Sequence, residues 1–459
     1  MRIFKKITAV SASLVMLLTL AAASADLFTV RAVDFYCDVD TVSQAVYLEN
    51  LNSQAVVYEK EADKQMYPAS TTKIMTFIIT AENVAEPDDT YVTIEQEVIE
   101  ELDPESTVMG LSQHIGEEIS VTDLLYGLML PSGNDAALVL ADYVGDGVSG
   151  FVEKMNAKAA ELGCENTHFA NPNGLYDSEH YSTARDMAVI AKYALNVPKF
   201  MEICNTLTYT PEGYDELHNT NYMLDPAAED GMYYYQYAKG IKTGYLDEAG
   251  KCLVTSSSKD GEIYLCVCLG ADYTFEENIN YAMLDTAKLY DWAYDSLGLQ
   301  TIFSPEESVA FVDVKYVRDG KKLSAVPETA VTAFLPNNYD NDLLKVDVSC
   351  TEEVEAPVTK GDLLGTVSIK YDDLDLGETN LVAAESVERN ISEFEVFIME
   401  NITHIIIAMI VIALLIFIIL LLISSAKRSK RSEEPTPENR RPKPEQQNKH
   451  SNKKHRYKE

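Results

Sequence analysis

Residues Ile405 to Ile423 are nineteen consecutive positions without a charge or a strongly polar side chain. A run of that length crosses the hydrocarbon core of a bilayer as one helix, the only single-segment structure that satisfies its own backbone there. It divides the chain into a long N-terminal body, a transmembrane helix at 404–424 and a short tail at 425–459. Lys427, Arg428, Lys430 and Arg431 follow the run at once. Positive charge just past a span marks the cytoplasmic side, so the body is expected outside a cell membrane that the chain crosses once.

The other end agrees. Arg2, Lys5 and Lys6 precede an apolar run from about Ala9 to Ala22, and Ala23-Ser24-Ala25 follows. A basic head, a short apolar core and a small-x-small site read as a secretory signal over 1–25. The apolar run is short for a span.

Charge follows the same partition. The chain has 37 Lys/Arg against 73 Asp/Glu, a net −36, yet the tail from Lys427 holds 12 Lys/Arg against 5 Asp/Glu. The exported body is therefore more acidic than the whole, which argues against nucleic-acid binding. Anionic inner-leaflet lipid would attract the tail, whose Pro, Gln, Asn and Lys content does not build a core. Cys37, Cys164, Cys204, Cys252, Cys266, Cys268 and Cys350 form no CxxC pair. An odd count leaves at least one thiol unpaired within the chain. Cys266 and Cys268 alternate with apolar residues and read as small strand residues. No metal site and no cofactor is expected.

The body has room for two domains. Strand patterns at Ala45–Leu48 and Ala55–Tyr58 flank an Asn52-Ser53 turn. Helix patterns follow at Thr72–Ala85, Val121–Leu130, Ala136–Tyr143, Val152–Leu162 and Arg185–Leu195, with Ser120 and Asp123 as a cap. Strands return at Lys239–Thr243, Cys252–Ser256 and Ile263–Leu269, the last two joined by Lys259-Asp260-Gly261. The expected fold class is α/β (α+β): one antiparallel sheet built from the two ends of a 36–298 domain, with a helical block against it. From Thr301 the texture becomes short alternating strands (Val309–Val314, Lys322–Val326, Leu343–Val348, Thr366–Tyr371), a small all-β domain over 301–386. Apolar Ile391, Phe394, Phe397 and Ile398 suggest a separate helix over Glu388–Glu400, lying on the membrane before the span.

Three short motifs carry chemistry: Ser70-Thr71-Thr72-Lys73, Ser132-Gly133-Asn134 and Lys242-Thr243-Gly244. Ser-x-x-Lys alone means little, since Ser256/Lys259, Ser424/Lys427 and Ser451/Lys454 share the spacing. Ser70 differs in context. It stands where a strong helix pattern begins, so its backbone N–H lacks an intrahelical partner and the helix dipole favours negative charge. Lys73 lies one turn on, within reach of the hydroxyl. A serine beside a base is the requirement for acyl transfer, and the lysine must be neutral at least transiently, through burial or a second cation. Lys242, at the end of a strand pattern, offers that cation, and Gly244 permits close backbone approach. Ser132 and Asn134 sit in an interhelix turn that Pro, Gly and Asn favour in any case.

In this order and on these elements, the three motifs resemble the penicillin-binding proteins and serine β-lactamases. Within them the chain resembles the D-alanyl-D-alanine carboxypeptidases of the low-molecular-mass penicillin-binding class. The resemblance runs from about Val46 to Arg389 and includes Tyr67–Lys73, Leu130–Ala136, Asn171–Leu175, His180–Asp186, Lys242–Tyr245, Asp247–Gly250 and Lys360–Gly365. It implies that Ser70 attacks the penultimate D-alanine carbonyl of a peptidoglycan stem peptide with Lys73 as general base. Backbone N–H groups of Ser70 and Tyr245 would hold the oxyanion. Lys242 and Thr243 would attract the terminal carboxylate, Asn134 would hold Lys73 and a substrate carbonyl, and Ser132 would pass a proton to the leaving amine. β-Lactam antibiotics would acylate the same serine as covalent inhibitors.

His168 and His180 sit in loops by pattern and are not needed as bases. Arg185 reads as a structural ion pair, with a carboxylate ligand as the alternative. Asp272 stands where some relatives carry an arginine. Transpeptidase or DD-endopeptidase chemistry on the same site remains the alternative. A β-lactamase is disfavoured, since no Glu-x-x-x-Asn lies between Ser132 and Lys242.

Overall fold

The computed structural model describes residues 35–103, 106–272, 279–372 and 374–431. The signal expected over 1–25 and the tail beyond 431 lie outside them. By contact the chain forms two compact units. The first runs to Ala310 and adds Ala325–Cys350 and Leu363–Val382; the second takes Phe311–Ser324, Thr351–Asp362 and everything from Ala383.

In the first unit, β1 (Ala45–Asn50) and β2 (Ala55–Lys60) pair with three later strands, β3 (Ala238–Leu246), β4 (Gly250–Lys259) and β5 (Glu262–Ala271). The order is β2-β1-β5-β4-β3, all antiparallel, which leaves the strand that carries Lys242 at the sheet edge. Every residue of β1 is buried. The reason is that both faces are covered. Ala45, Tyr47, Leu265, Val267 and Leu269 pack into one apolar core, while Val46, Leu48, Cys266 and Cys268 pack into another. Cys266 and Cys268 are thus packing residues of β5. Asp260 and Gly261, with φ of 54° and 92°, make the two-residue turn that joins β4 to β5.

The first core belongs to the helical block: α1 (Lys73–Asn83), α2 (Val121–Met129), α3 (Asn134–Gly145), α4 (Val148–Glu161) and α5 (Ala184–Ala194). The first eight residues of α1 are all buried, as expected of a helix apolar on every side. Ser120 caps α2: its Oγ accepts from Asp123 N at 3.0 Å and donates to Asp123 Oδ2 at 2.6 Å. Helix α6 (Tyr281–Ser296) belongs to the second core.

After α6 the chain turns to strands: β6 (Leu297–Phe303), β7 (Ala310–Lys315), β8 (Lys322–Pro327), β9 (Val331–Pro336), β10 (Leu344–Cys350), β11 (Glu353–Glu355), β12 (Leu363–Tyr371) and β13 (Leu374–Ala383). In the first unit β6 pairs with β9, and β12 pairs with both β10 and β13, all antiparallel. In the second unit β7 and β11 run parallel. There Arg318 bonds Glu395 and Tyr316 bonds Glu400. Both acidic residues lie on α7 (Glu393–Arg431). This helix corrects the expectation of a separate segment over Glu388–Glu400. It begins at Glu393 and runs unbroken through the apolar stretch, because no Gly or Pro interrupts it. It is the one candidate membrane span among the described residues, and the large apolar side chains from Ile406 to Ile423 are exposed in the protein.

Two glycines set how closely segments approach the turn before α1. A Cβ on Gly244 of β3 would lie 3.0 Å from Ser70 N and 3.1 Å from Ala69 Cβ. One on Gly174, whose φ is +82°, would lie 2.0 Å from the Ala69 carbonyl oxygen. Gly174→Ala is therefore expected to cost about 2–4 kcal/mol, from the left-handed backbone and the clash together. Denaturant unfolding of the full chain in detergent checks this; an unchanged midpoint would contradict the packing described.

Candidate active site

Ser70 lies in a 3-10 turn, Ala69–Thr72, which runs directly into α1. The α-helix starts three residues later than the serine, because Ala69 takes a left-handed φ of 49° and Thr71 N bonds back to Pro68 O. That tight turn brings Ser70 Oγ within 3.1 Å of Lys73 Nζ.

Lys73 is fully buried. Its Nζ also lies 2.6 Å from Asn134 Oδ1 and 2.6 Å from the Asn173 carbonyl oxygen. Burial holds its proton affinity well below the usual lysine value, Lys242 lowers it further, and the Asp135 carboxylate opposes both. A neutral amine has two N–H bonds and one lone pair. In that neutral form Asn134 and Asn173 can accept the two N–H bonds, which leaves the lone pair for the third neighbour, the Ser70 hydroxyl. The arrangement suits Lys73 to take the serine's proton.

Ser132 is 6% exposed, and its Oγ is buried without a hydrogen-bond partner among the described residues. Its φ of +66° is a left-handed conformation that costs a side-chain-bearing residue about 1–3 kcal/mol and persists where surrounding contacts impose it. Thr107 supplies two of those contacts: its Oγ1 donates to Ser132 O at 2.8 Å, and its carbonyl accepts from Asn134 N at 2.8 Å. Lys242, 1% exposed, donates to the Thr243 carbonyl at 3.1 Å, and burial lowers its pKa to about 7. Thr243 Oγ1 lies 2.6 Å from Thr220 Oγ1. Gly244 is buried and Tyr245 half-buried, stacked under Lys251 with 4.1 Å from amine to ring centroid.

The residues singled out in the sequence therefore meet along the Ser70 turn, the Ser132 turn and β3. Others do not join them. Arg185 binds Asp63 through Nε at 2.7 Å and Glu59 at 3.0 Å, the structural alternative. His180 is buried; Ala170 N donates to its Nδ1, so Nε2 carries the proton and donates to Thr72 Oγ1 at 2.8 Å. Burial lowers its pKa to about 4, and both ring nitrogens are committed to holding segments together. His168 is tied to the Glu179 carbonyl. Asp272 lines an open cavity of about 410 Å3 with Tyr245, Asp247 and Glu248.

Sequence reasoning missed Asn173, Thr107, Thr220 and Asp135. Asn173 contributes a backbone carbonyl, for which no side-chain pattern gives a signal. Asn171-Pro172-Asn173-Gly174 marks a turn, but a turn does not announce what its carbonyl faces.

Residues 34–273 match the family described as D-alanyl-D-alanine carboxypeptidase, and residues 299–389 match the C-terminal domain of penicillin-binding protein 5. D-alanyl-D-alanine carboxypeptidase DacF of Bacillus subtilis is 30% identical over 350 residues, 75% of this chain and 85% of that protein. DacA of Escherichia coli is 27% identical over 350 residues, 75% and 83% of the two chains. Penicillin binding protein 5 from Haemophilus influenzae superposes with a TM-score of 0.56 at 26% identity, over 77% of this chain and 99% of its own. A DD-transpeptidase of Streptomyces superposes with a TM-score of 0.51 at 30% identity, over 56% and 99%. The expected fold class is met, an α+β peptidase domain followed by an all-β domain. The chain belongs to the D-alanyl-D-alanine carboxypeptidase family and is a serine-type carboxypeptidase of the low-molecular-mass penicillin-binding class.

Proposed function

We propose that Ser70 is the nucleophile that removes the terminal D-alanine from peptidoglycan stem peptides, with Lys73 as its general base. The contact between the buried Lys73 amine and Ser70 Oγ carries this reading. Ser70 Oγ bonds to the penultimate D-alanine carbonyl carbon while its proton passes to Lys73. Backbone N–H groups of Ser70 and Tyr245 hold the oxyanion where charge develops. The C–N bond breaks, Ser132 delivers a proton to the leaving D-alanine, and water hydrolyses the ester. Lys242 and Thr243 hold the terminal carboxylate. Asn134 holds Lys73 and orients the substrate amide, and Gly244 lets the substrate lie close to β3. A β-lactam follows the first half of this path and stays bound.

The peptidase domain faces outward in this reading. A signal over 1–25 exports it, α7 anchors it, and the basic tail stays on the cytoplasmic side. The similarity to a DD-transpeptidase favours one second reading, transfer of the acyl group to an amine in place of water.

The full chain in detergent is expected to label covalently with a fluorescent penicillin and to release D-alanine from a pentapeptide stem. Labelling of a folded Ser70→Ala variant would overturn the assignment, and cross-linked product would support transpeptidation. The pH profile of kcat/KM is expected to fall on the acid side, as Lys73 gains a proton, and above about 7, as Lys242 loses its own. Lys242→Arg keeps its charge at every working pH, so the alkaline limb should disappear. Persistence of that limb would remove Lys242 from the carboxylate-binding role.

A further inference from the structure

Asp135 is fully buried in the first turn of α3 and forms no ion pair among the described residues. Its carboxylate accepts four backbone N–H bonds. Oδ1 takes Met109 N at 2.9 Å and Ala136 N at 2.9 Å. Oδ2 takes Gly110 N at 2.9 Å and Leu111 N at 3.0 Å. Backbone donors converging on a carboxylate hold the donating segment in place.

The clamped segment is the one that stitches the Ser132 turn. Thr107, two residues before Met109, bonds to Ser132 O and to Asn134 N. Gly133 stands between them, and a Cβ there would lie 2.8 Å from Asp135 Oδ1. The carboxylate thus occupies the space that a side chain at position 133 would need. Asn134 in turn holds the Lys73 amine. A continuous chain of bonds runs from Asp135 through 107–111 to both ends of the Ser132–Asn134 turn.

We propose that Asp135 is a positioning residue for acylation: its carboxylate clamps Met109–Leu111 and, through Thr107, fixes Ser132 and Asn134 against Lys73. The inference rests on the Ser70–Lys73 reading above. The carboxylate also supplies a fixed negative charge near Lys73. The titratable groups that face Lys73 are Lys242 from β3, Asp135 from α3 and His180 from the loop before α5. Lys242 favours the neutral amine, His180 is itself neutral, and Asp135 alone favours the ammonium. Burial raises the pKa of Tyr214 to about 12, with Glu117, Asp123 and, least, Asp135 adding to it.

The test uses the full chain in detergent, with penicillin acylation followed across pH. Asp135→Asn keeps the size but loses the charge and one acceptor. Its plateau rate is expected to fall roughly 10–100-fold, the scale of a small misplacement of reacting groups. Its acid limb should also move to lower pH, because Lys73 loses the anion that favours its proton. Asp135→Glu, which keeps the charge, should leave the limb where the wild type has it. A purely structural role would lower the folded fraction or the plateau and leave the limb unmoved. A folded Asp135→Asn protein with the wild-type rate and limb overturns the proposal. If the Asp135 variants fail to fold, Thr107→Val removes only the hydroxyl bond to Ser132 O. Its rate should fall about 3–10-fold, in keeping with the loss of one hydrogen bond, and a wild-type rate overturns the proposal. Absence of labelling in the wild type would instead overturn the Ser70–Lys73 reading itself.

Discussion

The desolvated amine of Lys73 is the constraint on which the rest of the site depends. Three segments distant in sequence each bring one oxygen to it: the Ser70 turn, the Asn134 side chain and the Asn173 carbonyl. Taking an ammonium out of water is costly, so burial favours the neutral form. Once neutral, the amine has only two N–H bonds to give, and two oxygens accept them. The third contact, with Ser70 Oγ, then falls on the lone pair, the geometry that the proposed proton transfer needs. Lys242 and Asp135 act on the same group with opposite sign.

The backbone around that amine is shaped to allow the convergence. Ala69 and Ser132 both take left-handed conformations, one to turn the chain into α1 and one to lead into α3. Gly174 and Gly244 bring a loop and a strand against the Ser70 turn at distances a side chain would not permit. Strand β3 lies at the edge of its sheet, the position where an extended peptide adds as a further strand. The same strand places Lys242, Thr243 and Gly244 in line beside Ser70. Sheet edge, helix start and interhelix turn thus meet at one point, although no two of them adjoin in sequence.

Much of this architecture is legible in the order of the residues. The strand patterns at Ala45–Leu48 and Ile263–Leu269 and the helix patterns at Val121–Leu130 and Arg185–Leu195 match observed elements to within a few residues. Periodicity reports burial, and both faces of the sheet and the core side of each helix are buried. The boundaries are less legible. The pattern over Thr72–Ala85 does not reveal that Ser70 sits in a 3-10 turn, because apolar spacing is insensitive to the last hydrogen bond of a helix. The segment before the span reads as separate because its polar residues break the apolar run, yet nothing in it breaks a backbone helix. Arg185 and His180 carry chemical promise as residue types, and their partners are Asp63, Glu59, Thr72 and Ala170.

By itself the sequence determined the acidic body, the long apolar run and the basic tail as compositional blocks, the α+β class with its all-β appendage, and the three motifs that contain Ser70, Lys73, Ser132, Asn134 and Lys242. These follow from local pattern: an uninterrupted apolar run, hydrophobic periods, and residue types whose chemistry is intrinsic. Tertiary structure alone decided that Lys73 is buried with its proton affinity lowered, that an Asn173 carbonyl and an Asp135 carboxylate bear on it, and that Arg185 and His180 hold structural partners. Those outcomes depend on desolvation and on backbone atoms, which every residue carries alike and which acquire meaning only when distant segments are packed together.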